Sequence, residues 1–76
     1  MEEVLEIIIK NLVDNQEAVE IKQVEGEKTI ILEVKVAEED MGKIIGRQGK
    51  IAQSIRTVMK AVANRKDKKV TVEFIG

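Results

Sequence analysis

An α+β domain, with a three-stranded mixed sheet covered on one face by three helices, is the fold this sequence predicts. Three observations carry that prediction. The chain is 76 residues long and has no linker or repeat that would divide it, so residues 1–76 are expected to form one domain. Apolar spacing switches from a helical period to a period of two and back again. Two helical segments separate the second strand-like segment from the third, which permits parallel pairing through a crossover. A domain this small buries only about 60% of the surface its unfolded chain exposes, so the expected core is thin.

The first element is a helix over Glu2 to Val13. Leu5, Ile8, Ile9 and Leu12 recur at three- and four-residue spacing, with Val4 and Val13 widening the stripe. The early glutamates suit the positive end of the helix dipole. From Ala18 the period is two, with Val19 and Ile21 alternating with Glu20 and Lys22 up to Val24. Gly26, within Glu25-Gly26-Glu27, marks a hairpin turn. The second strand places Ile30, Leu32, Val34 and Val36 on one face, and Thr29, Ile31, Glu33 and Lys35 on the other. One apolar and one mixed face describe a sheet covered on one side only. Asp40 is expected to cap a short helix over Met41 to Ile45.

A longer helix is expected from Lys50 to Asn64, with Ile51, Ile55, Val58, Met59 and Val62 inward and Arg56 and Lys60 outward. Arg65 to Lys69 reads as a charged connection. Val70, Val72 and Phe74 form the apolar face of the last strand. One sheet carrying three helices on one face hides all these stripes together.

Composition narrows the chemistry. Cysteine and histidine are both absent. Disulfides and thiolate or imidazole metal sites are therefore excluded, as is any nucleophile–base pair built on either residue. No metal or other cofactor is expected. The one tight acidic cluster, Glu38-Glu39-Asp40, fits helix capping and a solvated turn better than acid–base work, so an enzyme is not expected. No apolar run approaches membrane-spanning length, and Ile7 to Ile9 follows acidic rather than basic residues, unlike a secretory leader. A cytoplasmic protein is expected.

Net charge is only −1, but it is unevenly distributed. Residues 1–40 carry twelve acidic and four basic side chains; residues 41–76 carry nine basic and two acidic. A polar distribution of this size suggests a two-sided surface. Neutralisation of one half by the other within the fold is the alternative, but it does not explain why the glycines sit on the positive side.

The positive half contains the stretch MGKIIGRQGKI, residues 41–51. A P-loop needs a glycine at position 44 and Ser or Thr after Gly49-Lys50; the chain has Ile44 and Ile51. The dinucleotide-binding fingerprint also needs glycine at 44. Both fail. Gly46 and Gly49 instead allow a tight turn between two helices with no side chain to obstruct an approaching polymer. The start of the next helix adds its dipole, and Lys43, Arg47 and Lys50 add formal charge. A sugar–phosphate backbone fits such a corner; so does an ordinary helix-turn-helix junction with solvated lysines.

The run Ile44-Ile45-Gly46-Arg47-Gln48-Gly49-Lys50, after a basic residue and before a long amphipathic helix, resembles the G-x-x-G loop of KH domains. That loop clamps four backbone nucleotides of single-stranded RNA. The element order is similar to the type II arrangement, and the whole chain, over residues 2–75, resembles the small stand-alone bacterial KH proteins of the KhpA type. The resemblance implies that Gly46, Arg47, Gln48 and Gly49 form the RNA clamp, with Ile44 and Ile45 as the apolar residues before it; Lys43, Lys50 and Arg56 are expected as flanking RNA contacts from their charge. Of Ile44 and Ile45, one is expected to face the core and the other to border the groove. It also implies a base groove against a neighbouring strand, expected at Thr29 to Val36 with Ile31 and Val34 contributing. The aliphatic position three after the second glycine of many KH domains is Ala52 here, with Ile51 one earlier.

Phe74 is the only aromatic residue, and its alternation with Val70 and Val72 makes it a core residue. Base stacking on exposed rings, worth ~1–3 kcal/mol per base, is therefore not expected. The resemblance implies an RNA chaperone, or a post-transcriptional or ribosome-assembly factor, with single-stranded RNA as partner. It further implies a homodimer or a heterodimer with a larger KH-containing protein. A protein-interaction module with little RNA binding of its own is the alternative. For that reading Ile7, Val24, Ile31 and Ile75 are the apolar residues the one-sided sheet accommodates least well.

Overall fold

The computed structural model describes residues 2–65 and 67–75. Lys66, part of the expected charged connection, lies outside them. The chain forms α1 (Glu2–Leu12), β1 (Glu20–Glu25), β2 (Thr29–Lys35), α2 (Met41–Ile45), α3 (Lys50–Asn64) and β3 (Lys69–Ile75). Single 3₁₀ turns at Gln16–Ala18 and Glu38–Asp40 precede β1 and α2, and a tight turn at Arg47–Gly49, with non-helical backbone at Gln48, precedes α3. The strands lie in the order β1-β2-β3, with β1 antiparallel and β3 parallel to the central β2. This is the expected α+β architecture in the type II KH topology.

The hairpin closes at Gly26, whose N–H donates to the Thr29 carbonyl at 2.7 Å. Ile30, Leu32, Val34 and Val36 all point into the core, as their alternation requires. Leu5 and Ile9 of α1, Ile44 of α2, Ile55 and Met59 of α3, and Val70 and Val72 of β3 close on them. The outer face of the sheet is wet, and its opposing charges sit in register, Glu20 with Lys35 and Lys22 with Glu33.

The sequence misjudged the inward face of α3. Ile51 and Val58 are exposed, whereas Ala52 and Ala63 join Ile55 and Met59 among the buried residues. Small residues there let α3 lie close against the sheet, and the bulkier β-branched residues are left along its flank. Ala52, the expected aliphatic position, is thus buried in spite of its size. Val4, expected on the buried stripe of α1, is also exposed.

Asp40 differs from expectation as well. It precedes α2 but makes no side-chain bond that caps it. Its fully buried carboxylate instead accepts the Asp14 N–H at 3.2 Å and the Asn15 N–H at 3.0 Å, beyond the end of α1. Lys43 Nζ lies 3.6 Å from the same carboxylate. The Asn15 N–H, then the Asp14 N–H and Lys43, hold the Asp40 carboxyl below its ordinary range against the opposing effect of burial. A buried carboxylate with two amide donors joins two distant segments and leaves neither set of groups unsatisfied.

Asp40→Asn presents a side-chain donor, or a single neutral acceptor, where two amides now point. It is expected to lower the thermal midpoint by several degrees at neutral pH. Because the native pKa is depressed, the stabilisation is complete above the ordinary value of 3.8. It is lost as pH falls through the native value. Melts followed by circular dichroism should therefore show the gap between wild type and variant narrowing only in that acid window. A gap that stays constant there would deny Asp40 this role.

Candidate nucleic-acid interface

The loop between α2 and α3 is built on three residues with positive φ. Gly46 sits at φ 69° and ψ −173°, a region that side chains essentially do not occupy. Gln48 (φ 59°) and Gly49 (φ 73°) are left-handed. The Gly46 N–H ends α2 by donating to the Gly42 carbonyl at 2.9 Å. The two glycines then differ. A Cβ on Gly46 would lie 2.6 Å from Ile51 Cγ1, so this glycine makes room for the protein's own side chain. A Cβ on Gly49 would meet nothing within 4 Å, so the open side of the turn is there. No side chain caps the start of α3.

Arg47, Gln48 and Lys50 are exposed around this opening. Among the described residues, neither Arg47 nor Lys50 is held in a salt bridge. Lys43, also expected to face RNA, is committed elsewhere: its ammonium pairs with Asp14 and lies near Asp40. The hydrogen bond to Asp14 holds that ammonium above the usual lysine range, with the charges of Asp14 and Asp40 reinforcing it. The Asp14 side chain is itself 84% exposed, so solvent screens this pair and its release is inexpensive.

Ile44 is fully buried and Ile45 is 42% exposed. Ile44 thus faces the core and Ile45 the surface, so Ile44 cannot touch a ligand. Val34 is fully buried, and β2 is the central strand, paired along both edges. Ile31 alternates with the buried residues of β2 and so faces the side of the sheet away from the helices. Neither Ile31 nor Val34 is brought to the loop. The expectation failed because it assigned β2 a free edge, which parallel addition of β3 removes.

The available edge belongs to β3. A cleft of about 210 Å³ runs between α3 and this strand, lined by Arg56, Lys60, Lys69, Val70, Thr71 and Val72. Arg56 is half-buried along it: Nε donates to the Val72 carbonyl at 3.3 Å, and the guanidinium lies 5.3 Å from the centre of the Phe74 ring. Sequence reasoning missed this cleft, although the absence of any acidic residue from α3 was visible. Among the described residues no group of three potential metal ligands converges, and no helix is long and apolar enough to cross a membrane.

The profile of the KhpA/KhpB KH domain matches residues 2–74. An RNA-binding protein KhpA of Clostridium perfringens is 59% identical over 75 residues, covering 99% of this chain and all of that one. Proteins of the same name from Clostridium acetobutylicum and Caldanaerobacter subterraneus are 56% and 55% identical over 75 residues, again covering 99% of this chain and all of theirs. A type II KH topology, a G-x-x-G turn at the expected junction and matches across nearly the whole chain agree: the protein belongs to the KhpA/KhpB family of small bacterial KH domains.

Proposed function

We propose that this protein is a non-catalytic, cytoplasmic RNA-binding module in which the Gly46–Gly49 turn grips the backbone of single-stranded RNA. Its cellular role is that of an RNA chaperone, or of a post-transcriptional or ribosome-assembly factor. The observation that carries the reading is the open space at Gly49. There a chain can approach the main chain at the start of a fifteen-residue helix, with the exposed cations Arg47 and Lys50 on either side. The relatives' name, RNA-binding protein, is consistent with it.

Bases then lie in the cleft between α3 and β3. The β3 edge supplies main-chain groups with no neighbouring strand, and such groups pair readily with an incoming polar edge. The only ring, Phe74, is covered by Arg56. A base can stack instead on the outer face of that guanidinium, which the ring and the Val72 carbonyl hold flat. Lys43 contributes by exchanging Asp14 for a phosphate. Affinity rests on phosphate attraction and a few base contacts, so it is modest for one domain.

A second reading, pairing with another copy, is favoured by one surface. An apolar cleft of about 440 Å³ between α1 and α3 is lined by Val4, Val58, Ala61, Val62 and Arg65. Arg65 is one of its lining residues and is opposite in charge to Glu2 and Glu3 at the start of α1, so charge pairing can accompany apolar contact with a second copy. Ile7, Val24 and Ile75, expected to be left over from the core, are indeed exposed, but they are scattered over other faces. Two copies joined this way present two weak grooves to one RNA; a larger KH-containing protein is the alternative occupant.

Two outcomes are expected for RNA binding. Binding of short single-stranded RNA, read by fluorescence anisotropy, should weaken with salt at a log–log slope of about −2 to −3.5, the value for three to five phosphate contacts. Arg47→Asp with Gln48→Asp should abolish it without unfolding the protein, since aspartate tolerates positive φ at position 48. Retained affinity would remove the loop from the site.

The two glycines should separate under substitution. Gly49→Ala should cost only about 1–2 kcal/mol of stability in denaturant titration, because its strain is conformational. Its methyl group would occupy the approach to the main chain and weaken RNA binding several-fold. Gly46→Ala should destabilise more, by adding a collision with Ile51 to the strain. Equal losses of stability in the two variants would contradict the geometry.

Sedimentation across a micromolar concentration series should show a monomer–dimer equilibrium. Val58→Glu should shift it to monomer, with a melting curve that matches wild type at concentrations low enough for both to be monomeric. A wild-type protein that is strictly monomeric throughout would eliminate self-pairing.

A further inference from the structure

We infer that the RNA path does not end with the nucleotides gripped by the loop but continues along α3 to a second phosphate-binding mouth formed by Lys60 and Lys69. This deepens the RNA-binding reading and rests on it.

Gly49, Gln53, Arg56, Lys60 and Asn64 recur at intervals of four, three, four and four residues, so they form one stripe along α3. The stripe borders the buried Ala52–Ile55–Met59–Ala63 face on the side of β3. It begins at the open glycine and ends at the turn into β3. The cleft beside it, about 210 Å³ at Arg56 and Lys60, adjoins a wider one of about 390 Å³ lined by Lys60, Asn64, Asp67, Lys68, Lys69 and Val70. Lys60, Lys69 and Val70 line both, so the two are one continuous track that widens away from the loop.

The charges along this track are sorted. Lys68 is not available, because its ammonium pairs with Glu25 and lies 3.4 Å from the Gly26 carbonyl. Lys60 and Lys69 are exposed and, among the described residues, stand in no salt bridge. Asp67 is the one carboxylate among the lining residues. A helical rise of about 1.5 Å per residue puts Lys60 about 15 Å along the axis from Lys50. Stacked nucleotides advance ~3.4 Å each, so a strand held at the loop reaches Lys60 after about four of them. The mouth is thus matched to phosphates beyond those of the clamp.

The test is a length series of oligouridylates of about four to ten nucleotides, the shortest no longer than the clamp's own footprint. Affinities are measured by anisotropy for the wild type, for Lys60→Gln with Lys69→Gln, and for Lys22→Gln with Lys35→Gln on the far face of the sheet. Wild-type affinity should rise with length. Because both lysines also line the base cleft, the Lys60/Lys69 variant should lose up to about twofold on the four-nucleotide probe but about five- to tenfold on probes of eight or more, with a salt slope on those longer probes shallower by about 1.4 for two lost contacts. The far-face variant should keep the wild-type length dependence. Equal losses on short and long probes, or no loss on either, would overturn the second mouth while leaving the loop in place. If the wild type bound none of the probes, the RNA-binding reading would fail, and this one with it.

Discussion

The position of the G-x-x-G turn depends on one buried carboxylate. α2 is five residues long, too short to be stable on its own. Its direction has to come from what holds its ends. Ile44 anchors one side in the core, and Asp40 fastens the other to the two amides that follow α1. In a domain with so few buried residues, a charge-assisted bond across 25 residues of chain constrains more than another apolar contact would, because it specifies direction as well as proximity. It also explains why the sole fully buried charge among the described residues lies at the base of the loop. A buried carboxylate without these donors would be unfavourable, so the fold that satisfies it is also the fold that aims the turn.

From that anchor, the same few residues divide between inward and outward roles. Gly46 is used internally: its φ and ψ end α2, and its missing side chain admits Ile51. Gly49 is used externally, since nothing of the protein fills the space beside it. The cations divide in the same way. Lys43 and Lys68 pair with Asp14 and Glu25, whereas Arg47, Lys50, Lys60 and Lys69 remain along α3 and its flanking turns. The acidic first half of the chain therefore neutralises selected lysines of the second half, and four of the cations left unpaired follow α3 from the loop to the start of β3. The choice between internal neutralisation and a positive surface, undecided by composition, resolves into both.

Most of the fold was legible because strand alternation and helix spacing report directly on burial. The hairpin at Gly26, the buried face of β2 and the two-helix crossover before β3 all follow from periodicity. Three features did not, for physical reasons. The α3 face was misjudged because the hydrophobicity of Ile51 and Val58 outweighed Ala52 and Ala63; close packing against a sheet selects for size as well as polarity. Asp40 was assigned to the nearest helix start, since a local cap is visible in sequence and a partner 25 residues away is not. The base groove was placed on β2 because strand order is a property of the sheet and not of any segment. The Gly46–Gly49 turn itself was legible, down to the division between Ile44 and Ile45, because φ-permissive residues beside charge leave a local signature.

The alanine face of α3 has a consequence that reaches past packing. A helix that buries its large residues shows solvent only polar ones; this helix buries two alanines and so keeps branched residues to spare on one flank. Its buried stripe therefore has two different margins. Toward β3 lie Arg56 and Lys60, beside an open strand edge; toward α1 lie Val58 and Val62, beside Val4. A 76-residue chain with one thin core has little surface to devote to separate sites. By rotating one helix on its axis, the fold sets a basic margin beside the open strand edge and an apolar margin beside α1 on opposite sides of the same element, so occupation of one would not obstruct the other.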